Sequence, residues 1–99
     1  MKMPIIISKE RYRSQSRKFL EQYLYLQKKY PEDNDFKKVG RILRALKMLY
    51  PKDKVYAVKQ LNYVEKSLIL FSDERRSLLV QVMELLQKLI LHKKLNKKK

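Results

Sequence analysis

"LILFSDERRSLLVQVMELLQKLILHKKLNKKK", residues Leu68 to Lys99, decides how this chain folds. It is apolar to Phe71, polar from Ser72 to Ser77, apolar again to Leu91, and then almost entirely lysine. The second apolar run, Leu78 to Leu91, carries Gln81, Glu84, Gln87 and Lys88, so it does not qualify as a membrane span. Leu78, Leu79, Val82, Met83, Leu85, Leu86, Leu89 and Ile90 recur at helical spacing and wrap most of the circumference. Only Ser77, Gln81, Glu84 and Lys88 form a polar stripe. A helix apolar on so many sides must touch two or more neighbours, which makes it the central helix of an all-α core. Ser72 is its expected N-cap, with Asp73 and Glu74 in the first turn, where the positive end of the helix dipole favours acids.

Upstream, prolines and polar turns mark off three more helices. Ser8 is a natural cap for the first, with Glu10 in its opening turn and Ile7 and Tyr12 spaced as a hydrophobic staple. Its apolar face runs Tyr12, Phe19, Leu20, Tyr23, Leu26, Tyr30, and Pro31 ends it by removing an amide and disfavouring helix at the residue before. Asp33, Asn34 or Asp35 can cap the second helix, whose buried side reads Phe36, Val39, Leu43, Leu46, Tyr50, widened by Ile42 and Leu49. Gly40 stands in the middle of it, at about 1 kcal/mol less favourable than alanine, and its expected reason is close approach of a neighbouring helix. Pro51 ends that helix and Asp53 can cap the third, with Val58, Leu61, Val64 and Leu68 inward and Lys59, Asn62 and Lys66 outward.

Short connections between such helices favour an antiparallel up-down-up-down four-helix bundle. The expected layout is a single domain over residues 1–99, with helices near 8–30, 34–50, 54–70 and 73–92 and a flexible basic C-terminal tail at 93–99. A chain of 99 residues that is 44% hydrophobic can bury a core without disulfides or metals, and it contains no cysteine. The opening "MKMPIIISKERYR" is too short in its apolar part for a signal-peptide core, so a cytoplasmic chain is expected.

The formal net charge is +15. Residues 88–99 hold six lysines and no acid, so a surplus of +9 remains elsewhere. Such a charge attracts nucleic acid, anionic lipid or acidic protein. The outer face of the second helix supplies Lys37, Lys38, Arg41, Arg44 and Lys47 with no acid among them, whereas ordinary solvated faces mix both signs. These five, with Lys88 and the terminal Lys93, Lys94, Lys97, Lys98 and Lys99, are the candidate partner-binding residues.

Catalytic chemistry is hard to assemble. His92 is the sole histidine, beside Lys93 near a helix end, with no orienting partner, and a single glycine cannot build a phosphate-binding loop. The carboxylates stand alone or at helix starts, where capping explains them. No catalytic, metal or cofactor site is expected. Of the seven tyrosines, Tyr12, Tyr23, Tyr30 and Tyr50 fall on apolar faces and read as core or core edge, with hydroxyls reaching solvent; Tyr25, Tyr56 and Tyr63 can mark a contact patch.

An apolar helix end, then Phe-Ser-x-Glu, then a helix with paired leucines, here Leu70, Phe71, Ser72, Glu74, Leu78 and Leu79, resembles the third-to-fourth helix junction of the enterocin A immunity family. Those proteins protect producers of class IIa, pediocin-like, bacteriocins. As architecture the resemblance covers most of the chain: size, four helices, short polar turns and strong basicity. It implies a cytosolic, non-catalytic bundle that acts at the inner side of the membrane, recognises the bacteriocin bound to the membrane components of the mannose phosphotransferase system, and blocks the pore. In the family the C-terminal half tends to set which bacteriocin is countered; the lysine ending at 93–99 departs from its pattern. The surplus charge suits peripheral contact with anionic inner-leaflet lipids. The alternative expectation is a small basic nucleic-acid-binding protein of phage or mobile-element type. A helical adaptor that dimerises through the last helix is a third, against an expected monomer.

Overall fold

The computed structural model describes residues 8–50 and 54–98, with side chains through Leu91. The elements are α1 (Lys9–Lys29), α2 (Asn34–Met48), α3 (Lys54–Ser67), a 3-10 turn (Leu68–Leu70) and α4 (Glu74–Lys98), with no strand among the described residues. The chain is an all-α four-helix bundle of 47 × 24 × 24 Å.

Local chemistry sets the helix starts. Ser8 Oγ accepts from the Arg11 amide at 3.1 Å, and Asp33 Oδ1 accepts from the Phe36 amide at 3.0 Å, so Asp33 is the cap among its three acidic-turn candidates. α1 closes where the Tyr30 amide donates to the Leu26 carbonyl, just before Pro31. The Ile7 side of the staple and the Asp53 cap lie outside the described residues.

α1 packs on α2, α3 on α4, and α1 on α4. Two helical hairpins therefore meet along the α1–α4 seam, and α2 and α3 are not closely packed on each other. α4 has the two neighbours its apolar girth required, and α1 shares that central position. The core joins Tyr12, Phe19, Tyr23 and Leu26 of α1, Phe36, Val39, Leu43 and Leu46 of α2, and Leu78, Leu79, Val82, Leu85, Leu86 and Leu89 of α4. Phe36 is its aromatic hinge, 4.9 Å from the Tyr23 ring and 5.8 Å, edge-on, from Phe71. Gly40 lies under Tyr23: a Cβ there would stand 2.6 Å from Cε2 and Cζ of that ring and 2.7 Å from its hydroxyl. The Tyr23 hydroxyl then donates to the Lys37 carbonyl, one turn earlier on α2, at 3.2 Å.

Four expectations are corrected. α3 is turned about its axis: Ala57, Val64 and Ser67 are buried, Leu61 and Leu68 half-buried, and Val58 is exposed. The apolar residues of α3 are spread around its circumference, so contact with α4 selects the face, and Ser67 enters the core because its hydroxyl donates to the Tyr63 carbonyl at 2.9 Å. The cap of α4 is Asp73 in place of Ser72; its carboxylate accepts from the Arg75 amide at 3.1 Å, and its carbonyl accepts from the amides of Arg76 and Ser77. The backbone of residues 93–98 continues α4 instead of fraying as a tail. Neither proline nor glycine occurs after Pro51, leucine and lysine are good helix formers, and the positive charges of the lysines suit a helix C-terminus. Finally, the Tyr12 hydroxyl does not reach solvent. Tyr12 is wholly buried, and neither its hydroxyl nor that of Ser16, one turn on, finds a well-aligned partner in the protein. Burial raises the Tyr12 phenol above its ordinary pKa, nearby Tyr56 adds to this, and the adjacent Ser16 hydroxyl opposes it.

Candidate functional site

Two polar constructions stand out from the bundle. The first joins the α1–α2 turn to the start of α4. Arg75 is its centre: Nη1 meets Asp33 Oδ2 at 2.6 Å, while Nε and Nη2 grip the Asp73 carboxylate at 2.9 and 3.0 Å. The guanidinium lies 3.8 Å from the Tyr30 ring centroid, and the Tyr30 hydroxyl donates to Asp73 Oδ2 at 3.1 Å. Lys29 Nζ pairs with Glu74 Oε2 at 2.6 Å on the exposed rim. The Arg75 hydrogen bonds hold Asp73 well below the usual carboxylate range, and Lys29 lowers Glu74 less strongly. Every acid here already has a cation. The clamp therefore ties two turns together and offers no free group for chemistry. None of this was expected from sequence, because Arg75 reaches Asp33 across 42 residues.

The second is the open side of the bundle. Between α2 and α3 runs a groove of about 350 Å³ lined by Lys38, Arg41 and Ile42 on one wall and Tyr56, Gln60 and Tyr63 on the other. Helical spacing puts Lys38 and Arg41 on one edge of α2 and Tyr56, Gln60 and Tyr63 on one edge of α3. The structure thus brings two of the expected cations together with two of the three tyrosines expected to mark a contact patch. Tyr25, the third, lies instead in a cleft between α1 and α4 with Gln22 and Lys29.

Lys37, Lys38, Arg41 and Arg44 are exposed and Lys47 half-buried, and none of the five forms an ion pair with a described carboxylate. Lys37 and Arg44 do not line the groove; Arg44 approaches Tyr23, where its charge partly offsets the rise that burial imposes on that phenol. Lys88 belongs to another cleft, between α1 and α4, with Lys18 and Glu84. Lys93, Lys94, Lys97 and Lys98 lie on the α4 backbone beyond the described side chains, and Lys99 lies outside the described residues.

No group of three or more His, Cys, Asp or Glu among the described residues is placed to hold a metal, and no described helix is long and apolar enough to cross a membrane. Comparison with known proteins gives no match to any family model, curated protein or solved structure.

Proposed function

We propose that this chain is a binding module of the bacteriocin-immunity type, which protects its cell by engaging, from the cytosolic side, the bacteriocin-occupied membrane components of the mannose phosphotransferase system. The observation that carries the binding role is the open α2–α3 side, where unpaired cations face tyrosines across a groove. Supporting the family is the junction into α4. Phe71, Leu78 and Leu79 are buried, so this segment is a core-forming hinge. The unpaired cations of α2 and the half-exposed tyrosines are where receptor contact is expected, with the terminal lysines adding attraction to the anionic inner leaflet.

The test is survival. The chain, expressed in a bacteriocin-sensitive lactic acid bacterium, should protect against one or two members of a panel of pediocin-like peptides, and Lys38→Gln with Arg41→Gln should weaken that protection without unfolding the chain. Protection that survives loss of both cations would remove the groove from the mechanism. Sensitivity to the whole panel would favour the second reading. A groove with one cationic and one aromatic wall also suits single-stranded nucleic acid, with phosphates on Lys38 and Arg41 and bases on Tyr56 and Tyr63. That reading requires affinity that falls steeply and log-linearly with salt.

A further inference from the structure

α3 contributes little to the core, with only Ala57, Val64 and Ser67 buried. Its outward arc carries Val55, Lys59, Asn62 and Lys66 down the middle at helical spacing, roughly 16 Å of axis. Val58 borders the arc on one side and Tyr63 on the other, and the 3-10 turn after it leaves Ile69 86% and Leu70 56% exposed. Single surface hydrophobics need no explanation. Here, however, six of the nine exposed large apolar residues among those described fall between Met48 and Leu70. The same helix has three lysines and one acid, Glu65, and across the groove stand the unpaired Lys38 and Arg41.

We infer that the outward face of α3, with Ile69 and Leu70 at its end, docks the protein on an anionic lipid bilayer. The mixture of chemistries selects this occupant. Nucleic acid would take the lysines but leave Ile69 and Leu70 in water, since phosphates offer nothing apolar. A protein partner would place lysine at the centre of the contact, where protein interfaces are depleted of it. A bilayer surface accepts both at once: aliphatic side chains enter the acyl boundary, while lysine stems lie along it with their ammonium groups among headgroup phosphates. The face is also convex and needs no complementary pocket. Attachment here would hold the open α2–α3 groove beside the membrane, so the inference deepens the receptor-binding role proposed above and rests on it for its cellular setting only.

The full-length chain is mixed with extruded vesicles of phosphatidylglycerol and phosphatidylcholine in equal parts, or of phosphatidylcholine alone, and sedimented. Binding to the anionic vesicles only is expected. Ile69→Ser with Leu70→Ser leaves the charge unchanged and should weaken it at least ten-fold. Lys59→Gln with Lys66→Gln should weaken it ten-fold or more, whereas Lys37→Gln with Arg44→Gln, equal in charge but on α2 away from the groove, should change it by less than three-fold. Helical circular dichroism and the thermal midpoint verify that each variant folds. The inference is overturned if the native chain does not sediment with anionic vesicles, if the serine pair binds like the native chain, or if the two charge pairs weaken binding equally. The first result would assign the face to a protein partner, and the last would make the attraction a property of net charge. Because vesicle binding is read on purified protein, a chain that binds vesicles without protecting cells would sink the immunity reading and leave this one standing; protection without vesicle binding would do the reverse.

Discussion

Replacing Gly40 with alanine sets two effects of opposite sign against each other. In an isolated helix the change is favourable by about 1 kcal/mol, because glycine is the more costly residue to order. In the bundle the new methyl would stand 2.6 Å from two carbons of the Tyr23 ring and 2.7 Å from its oxygen. The ring cannot simply swing away. It is 2% exposed, it packs 4.9 Å from Phe36 by ring centroids, and its hydroxyl is held by the Lys37 carbonyl. Overpacking of this kind costs about 1–3 kcal/mol, and displacing the ring forfeits about 1 kcal/mol more of hydrogen bonding. The net expectation for Gly40→Ala is a loss of about 2 kcal/mol, which for a chain of this length lowers Tm by about 10 °C.

Urea unfolding followed by helical circular dichroism measures it, and a double-mutant cycle isolates the cause. Tyr23→Leu removes all three contacting atoms, so in that background Gly40→Ala should become stabilising by about 1 kcal/mol, leaving a coupling of about 3 kcal/mol. Tyr23→Phe keeps the two ring carbons, so there Gly40→Ala should remain destabilising. Stabilisation by Gly40→Ala in the native background, or an equal effect in the native and Tyr23→Leu backgrounds, would refute the packing of α1 against α2 described above.

Other expectations follow from the core, the clamp and the charge. Leu86 is wholly buried at the centre of α4, so Leu86→Ala should cost about 2–5 kcal/mol, and Leu86→Asp should abolish the cooperative transition; a normal transition for the aspartate variant would displace α4 from the centre. Asp73 and Glu74 titrate below the usual carboxylate range when folded, so their stabilising contribution is complete above the unfolded values near pH about 4 and is lost as pH falls from there through the lower folded values. Asp73→Asn should therefore lower Tm at neutral pH and flatten its acid limb, and an acid limb identical to the native one would exclude the clamp as its source. Because a net charge of +15 repels itself, raising salt from low to moderate ionic strength should raise Tm by a few degrees; a fall would mean that the clamp pairs outweigh the surplus.

Much of the fold was legible because single residues forced it. Pro31 and Asp33 fix the first turn within a residue or two, the apolar girth of α4 demands two neighbours, and a mid-helix glycine demands a close neighbour, which is the Tyr23 ring. α3 was not legible in the same way. Its small and apolar residues, Val55, Ala57, Val58, Leu61 and Val64, point around the helix, so spacing alone cannot choose a face. The choice belongs to α4, which takes Ala57 and Val64 and leaves Val55 and Val58 outside. The site was half legible for a related reason. A basic edge on α2 is visible in spacing, but its pairing with Tyr56 and Tyr63 depends on how two helices face each other, and the Arg75 clamp depends on two turns meeting. Local patterns carry neither relation.

The clamp also determines where the surplus charge is felt. Asp33, Asp73 and Glu74, three of the ten carboxylates, are drawn to one end of the bundle and paired there with Arg75, which serves two of them, and Lys29. That concentration leaves the α2–α3 side with little negative charge of its own: α3 has Glu65 alone, and α2 has Asp35 alone, at its start. Along α2 the pairs Lys37–Arg41, Lys38–Arg41, Arg41–Arg44 and Arg44–Lys47 are neighbours of like charge, each unfavourable by a few tenths of a kcal/mol. The fold recovers nothing from them, since none is answered by a described carboxylate. Among the described residues only Lys38 and Arg41 of that stripe stand on the groove beside α3, whereas Lys37 and Arg44 do not line it, which is why removing Lys37 and Arg44 should spare the vesicle binding that Lys59, Lys66, Ile69 and Leu70 are expected to support.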